Sequence, residues 1–424
     1  MKKTLLIVVS AALATACAGQ LDLYPHSTIA PEAVTERDIP QLRVGMYWQV
    51  QELPTRSSYI IEDMLGGNLT LKNSTSTMAL INSVLNAQSE IVEAAWTGAY
   101  KAIYQVNNVY GIAERLPEGD ARNQVLGEAS YFRAYLYLQL VTRWGDVPLV
   151  VKNTTVDVPR AGKEAVWAQI IADLDQAISL LGANTDIYYV SSDAATALKA
   201  RALLFMGRKE EAARLAESLI GNARYSLDTF QNIFRKATNT ETFFAFKCAT
   251  EDGSKIGLSN LFYSYNHPNK GNYSYMPAPD VMTLFESGDL RAEITVTTLD
   301  GLNFINKYPS GQAGTDPFIV SRLAEMYLIS AEAGGVDGGL GRLNDLRNKR
   351  GLPSIYPMTE TAFQDAVALE RRREFVGENL RFTDLVRTGR AVGELGIQPY
   401  QQLLPLPESE MQNNALLRPQ NPNY

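Results

Sequence analysis

Along most of this chain, apolar positions recur at steps of three and four residues, the spacing that lines one face of an α-helix. In the clearest run Val125, Ala129, Phe132, Leu136, Leu140 and Trp144 fall in phase, with Asp120 as N-cap and Gly145, Asp146, Val147 and Pro148 as the stop. The spacing predicts a preceding helix over 91–116, carrying Ala95, Tyr100, Ile103, Tyr104, Val106 and Val109. Only Pro117 to Gly119 separate the two, which makes them an antiparallel hairpin. A second hairpin is predicted over 192–220, broken at Gly207, where Ala212, Ala213 and Ala216 are small enough to let its helices approach closely. Further helices fit 163–181, 317–333, 340–350 and 361–387. The pattern as a whole predicts an all-α architecture of stacked helical hairpins.

Two regions interrupt it. Residues 51–87 are rich in Ser, Thr, Asn and Gly, and residues 249–315 in Gly, Asn, Pro and Tyr, with short alternating pieces such as 293–299. Long irregular inserts on a helical scaffold act as binding loops or as linkers, and their aromatic content argues for ordered loops carrying short strands. The hairpin over 192–220 also resembles a tetratricopeptide unit, without a strict recurrence at the ~34-residue period.

The first residues bear on the compartment. Lys2 and Lys3 form a positive start, an apolar run follows from Leu5 to Leu13, and the small residues Ala14, Thr15 and Ala16 lead to Cys17. That is the pattern of a secretory signal over 1–16, well short of the ~20 apolar residues of a membrane-spanning helix. It resembles a bacterial lipobox, with Ala14 in place of the usual Leu, and predicts that Cys17 is acylated and anchors the remaining residues, 17–424, as one helical domain with its two inserts. Once the two lysines of the signal leave, the formal charge of −7 becomes −9, which argues against a nucleic-acid partner. After Cys17 the only cysteine is Cys248, which reads as a small buried hydrophobe. The two histidines, His26 and His267, are too few and too far apart for a histidine zinc site, and no metal or cofactor is expected.

Several blocks carry a resemblance to a known family. Glu128-Ala-Ser-Tyr-Phe-Arg-Ala-Tyr-Leu-Tyr137 followed by Leu140 and Trp144-Gly-Asp-Val-Pro-Leu149 resembles the signature of the SusD/RagB family. Leu21, Asp22 and Pro25 after the cysteine are similar to that family, as are Trp96, Tyr100, Ile103 and Asn107, and Arg160 with Ile170, Asp173, Leu174 and Ala177. So are the stretch 319–333, Leu343, Asn344, Arg347, Arg350 and Gly351, the charged helix around Glu370-Arg-Arg-Arg-Glu-Phe375 with Glu378, Arg381, Asp384 and Arg387, and the tails 404–408 and 420–424. The resemblance implies an all-α, tetratricopeptide-like body and an outer-membrane lipoprotein facing the cell exterior. It also implies docking on a SusC-like TonB-dependent barrel and an oligosaccharide ligand, with peptide, as in RagB-like members, the alternative.

The residues themselves show no Gly-x-Ser-x-Gly elbow, no His-Glu-x-x-His and no phosphate loop, so a binding protein is expected rather than an enzyme. Arg371, Arg372 and Arg373 look like an anion grip, but consecutive residues point around a helix, and Glu370 and Glu374 beside them favour an ion network. Trp96, Trp144 and Trp167 are expected in the core, and Trp48 is open to either role. The expected ligand contacts are Tyr263, Tyr265, Tyr273 and Tyr275, alternating with polar residues, with His267, Asn269 and Asn272 between the pairs and Asn68 and Asn73 from the first insert. Tyrosine faces and amide groups are what orienting a neutral polar ligand requires, though the same alternation also suits a half-buried strand.

Overall fold

Val125, Ala129, Phe132, Leu136, Leu140 and Trp144 are all fully buried, on a helix that the rest of the molecule surrounds. The structure is a computed structural model that describes residues 34–183, 186–249, 256–357 and 359–424. The signal, Cys17, the Leu21 to Pro25 block and His26 lie outside the described residues. The principal helices are α1 (Ile39–Glu52), α2 (Glu90–Ala113), α3 (Asp120–Trp144), α4 (Lys163–Leu180), α5 (Ser192–Phe205), α6 (Lys209–Ile220), α7 (Leu323–Lys349), α8 (Glu360–Phe375) and α9 (Arg381–Arg387). From α2 to α8 each packs on its successor in the chain, so the expected stack of helical hairpins is what forms. No helix among the described residues is long and apolar enough to cross a membrane.

A one-face stripe understates α3, because Tyr131, Ala134 and Tyr137 on other faces are also buried. Its polar residues tolerate this by pairing. Arg43 from α1 grips Glu128 at 2.7 and 2.5 Å, Asp173 from α4 holds Arg133 at 2.8 and 2.6 Å, and Arg143 reaches Glu62 at 2.9 Å. Trp144 packs edge-on against Trp96 at 5.3 Å and donates to the Pro405 carbonyl at 2.9 Å. Both indoles are core, as is Cys248, whereas Trp167 is half-buried and Trp48 is 41% exposed.

The structure corrects three sequence expectations. Residues 318–322 are not helical: Phe318–Arg322 is a strand, β8, paired antiparallel with β4 (Thr242–Phe246), and every residue of both is buried. Ile319 and Val320 in that segment suit a pleated surface, so α7 starts only at Leu323. It is then interrupted at Gly335, whose φ of 63° and ψ of −170° are not helical. The helix expected over 361–387 divides into α8 and α9, because Gly377 and Asn379 take positive φ values of 80° and 63°. Their amides turn toward the buried Asp63 carboxylate at 2.9 and 2.7 Å, bonds a continuing helix could not make. Third, residues 51–87 are not mainly a surface loop. Tyr59, Ile60, Ile61, Met64 and Leu65 are core, on a run too short for periodicity to register, and a second short helix spans Thr77–Val84.

Under α8 lies a buried ionic cluster. Glu374 meets Arg322 at 2.5 Å, Arg350 at 2.7 Å and Arg291 at 2.9 Å. Glu241 binds Arg322 and Arg350, Glu378 binds Arg322 and Lys307, and Asp289 and Glu370 bind Arg291. Burial alone would raise the Glu374 carboxyl, but the guanidiniums of Arg350, Arg322 and Arg291 hold it well below the usual range. The three consecutive arginines do diverge: Arg371 turns to Asp384, Arg373 to Glu286, and Arg372 to Asn68 at 3.0 Å and Asp280 at 2.7 Å.

Candidate functional site

The two polar segments read from the sequence as separate inserts meet in one ribbon. β1 (Leu69–Leu71) pairs antiparallel with β5 (Tyr275–Pro277), Leu69 opposite Pro277 and Leu71 opposite Tyr275. The chain leaving β1 through Lys72 and Asn73 therefore runs beside the chain entering β5 through Asn272 and Tyr273, and the Lys72 ammonium sits 5.9 Å from the Tyr273 ring centre.

Before β5, a turn of helix, Ser259–Phe262, leads into a loop closed at its base by three backbone bonds. Asn272 donates to Asn260 at 2.7 Å, Tyr273 to Tyr263 at 3.0 Å and Ser274 to Leu261 at 2.9 Å. At the tip the His267 amide donates to the Ser264 carbonyl, and the Asn269 amide to His267 Nδ1 at 3.0 Å. The loop is also pinned from outside, where the Gln312 amide donates to the Asn269 carbonyl at 3.1 Å. A Cβ added to Gly311, whose φ is +60°, would lie 1.5 Å from that same carbonyl oxygen. Nothing but glycine fits there.

Beneath the loop is a small aromatic core that the sequence alternation did not reveal. Phe304 packs 5.7 Å from Tyr263, 5.2 Å from Tyr273 and 4.8 Å from His267. It belongs to the hairpin of β6 (Val296–Leu299) and β7 (Leu302–Ile305). Asp300 and Gly301, both at positive φ, form the two-residue turn, and that dipeptide after the alternating piece was the available signal for the return strand. The same hairpin fixes the tyrosine hydroxyls, since Tyr263 donates to Asn306 at 2.7 Å and Tyr273 to the Asn303 carbonyl at 3.0 Å. Burial pushes the Tyr263 hydroxyl up to about 12 and holds the His267 imidazole below its ordinary value.

The expected contact residues thus divide. Tyr263, Tyr273 and Asn68 are buried, and Asn68 is engaged by Asp63 at 2.8 Å and by Arg372, so they support the loop from within. Tyr275, His267 and Asn269 are half-buried. Tyr265 is 71% exposed with the Lys270 ammonium 5.9 Å from its ring centre, and Asn272 and Asn73 are exposed beside it in the chain path just described. The accessible face offers one aromatic ring, several amides and the ammonium groups of Lys72 and Lys270, two residues that reading by tyrosine alternation had passed over. Among the described residues no three His, Cys, Asp or Glu side chains are placed to hold a metal ion.

Comparison with known proteins bears on what such a face is for. Residues 20–204 match a family profile described as starch-binding and associating with the outer membrane, and residues 295–402 match the profile of the SusD family. A SusD-like protein of Formosa agariphila is 24% identical, over 93% of this chain and 92% of its own. Among solved structures, a laminarin-binding SusD-like protein superposes with a TM-score of 0.78 at 22% identity, covering 92% of this chain and 100% of that one. Surface glycan-binding protein A from Bacteroides fluxus superposes with a TM-score of 0.79 at 19% identity, with the same coverage.

Proposed function

The chain belongs to the SusD family of starch-binding, outer-membrane-associated proteins, and from that premise we propose that it captures a neutral oligosaccharide at the loop bearing Tyr265 and passes it to a SusC-like TonB-dependent barrel. The observation that carries the ligand site is the β1–β5 ribbon, which puts Asn73 and Lys72 alongside Asn272 and the tyrosine loop. A sugar ring stacks on an exposed tyrosine face, and amide groups supply both donors and acceptors for its hydroxyls. The pinned loop base lowers the cost of ordering the site when ligand arrives. Binding without catalysis accords with two proteins of the same fold that are named for laminarin and glycan binding.

In this reading Cys17 is acylated, the protein is held on the outer membrane facing outward, and the barrel supplies the passage across the membrane, which no helix among the described residues is long and apolar enough to span. Titration of the purified protein with a panel of neutral oligosaccharides, laminari-oligosaccharides among them, tests the ligand class. Saturable binding that Tyr265→Ala weakens supports it. Binding of peptides with no response to any glycan would transfer the site to a peptide ligand.

A further inference from the structure

A second cleft, of about 350 Å³, opens among the end of α5, the start of α6 and the sides of α7, α8 and α9, and shares no lining residue with the tyrosine loop. Its walls carry five cations, Lys209, Arg371, Arg381, Arg387 and Arg390, against two carboxylates, Glu332 and Asp384. Both carboxylates are already engaged. Arg387 donates to Glu332 at 2.6 and 2.8 Å and to Asp384 at 2.8 Å, while Arg371 Nε donates to the other Asp384 oxygen at 2.9 Å.

That arrangement uses only one edge of Arg371. Its Nη1 and Nη2 are buried without a hydrogen-bond partner in the protein, and so is Arg381 Nε. The Arg371 side chain is 3% exposed, so this is not a solvated surface group. Charged donors buried without acceptors are costly, and the two Nη groups of a guanidinium form a fork matched to the two oxygens of a carboxylate. Leu204, Phe205, Val367 and Leu385 give the cleft an apolar wall suited to an organic body rather than a bare ion. Asp365 pairs with Arg390, Glu394 with Arg381, and Glu360 faces Lys209, so the unused capacity of the cleft lies in the free Arg371 and Arg381 donors rather than in net charge.

We propose that this cleft is a second ligand site, for a small organic carboxylate held by the Arg371 fork with Arg381 Nε as third donor and Lys209 and Arg390 at its mouth. Glucuronate is a suitable probe, with glucose as its neutral counterpart and inorganic phosphate as the dianion. Calorimetry on the full protein should give saturable glucuronate binding, weaker phosphate binding and no binding of glucose in competition with glucuronate. Arg371→Lys keeps the charge and loses the fork, and should weaken glucuronate by about tenfold or more. Should that variant fail to fold, Lys209→Met and Arg390→Gln decide, each expected to reduce affinity several-fold at an unchanged melting temperature. Hydrogen exchange should slow over 381–390 on adding glucuronate. Absence of saturable glucuronate binding, binding matched by glucose, or binding indifferent to these variants overturns the proposal. So does competition between glucuronate and a neutral oligosaccharide, which would place the acid at the tyrosine loop; the two sites therefore fail separately.

Discussion

Tyr263, Tyr265, Tyr273 and Tyr275 look equivalent in the sequence, and the structure assigns them different work. Tyr265 alone is largely exposed, so Tyr265→Ala should weaken oligosaccharide binding by ~1–3 kcal/mol, the cost of losing a stacked aromatic in other ligand systems, and leave the fold intact. Tyr263→Phe removes the hydroxyl that donates to Asn306 and should lower stability by about 1 kcal/mol. Calorimetry and thermal denaturation of the pair check this; wild-type affinity in Tyr265→Ala would take that ring out of the contact. Alternation could not separate these tyrosines because the partner that turns two of them inward, Phe304, lies some distance away in the chain, on a hairpin whose second strand the sequence reading passed over. Lys307 is a second case. Burial pushes its ammonium down to about 8 despite Glu378, against an ordinary 10.5. Between those values the unfolded chain binds a proton that the folded one does not, so this residue makes stability rise with pH across that window. Urea midpoints of wild type relative to Lys307→Met should therefore increase from pH 8 toward pH 10; a flat difference would mean that the buried lysine keeps its proton.

At the scale of elements, helices were the legible part. The α3, α5 and α6 boundaries fall within a residue of those expected, because the turn and glycine signals at their ends are local, although Asp120 is the first residue of α3 behind Gly119 as N-cap rather than the cap itself. The strand at Phe318–Arg322 and the division between α8 and α9 were not legible, since both are decided by distant partners, β4 in one case and Asp63 in the other. The ion network around α8 was anticipated, but not its unequal depth. Glu374→Gln, at the centre of three arginines, should destabilise by ~3–5 kcal/mol, whereas Arg372→Ala, paired with a mostly exposed Asp280, should cost under ~1 kcal/mol beyond its bond to Asn68. Chemical denaturation distinguishes them, and equal losses would contradict the burial argument. For the loop, Gly311→Ala must displace the Asn269 carbonyl and strain its own backbone, so it should reduce ligand affinity through loop position although it touches no ligand. Hydrogen exchange over 263–273 should rise in that variant; unchanged exchange and affinity would show that the pin is dispensable.

For the whole molecule, the helical stack and the family were readable because their motifs spread along nearly the entire chain, while the proposed ligand face depends on one ribbon joining residues about two hundred positions apart. The anchoring expectation is checked by labelled palmitate, which should enter the wild type and not Cys17→Ala, and by protease on intact cells, which should cut an outward-facing protein. One further consequence follows from the ionic cluster. Its members come from Glu241, Asp289, Arg291, Lys307, Arg322, Arg350, Glu370, Glu374 and Glu378, so no early portion of the chain can complete it. Until the last of these emerges, guanidiniums and carboxylates lack their partners and favour water over a closed interior. The helical hairpins before Glu241 contribute nothing to the cluster and can pack without it, whereas the portion from Glu241 onward cannot close its interior until Glu378 has been made.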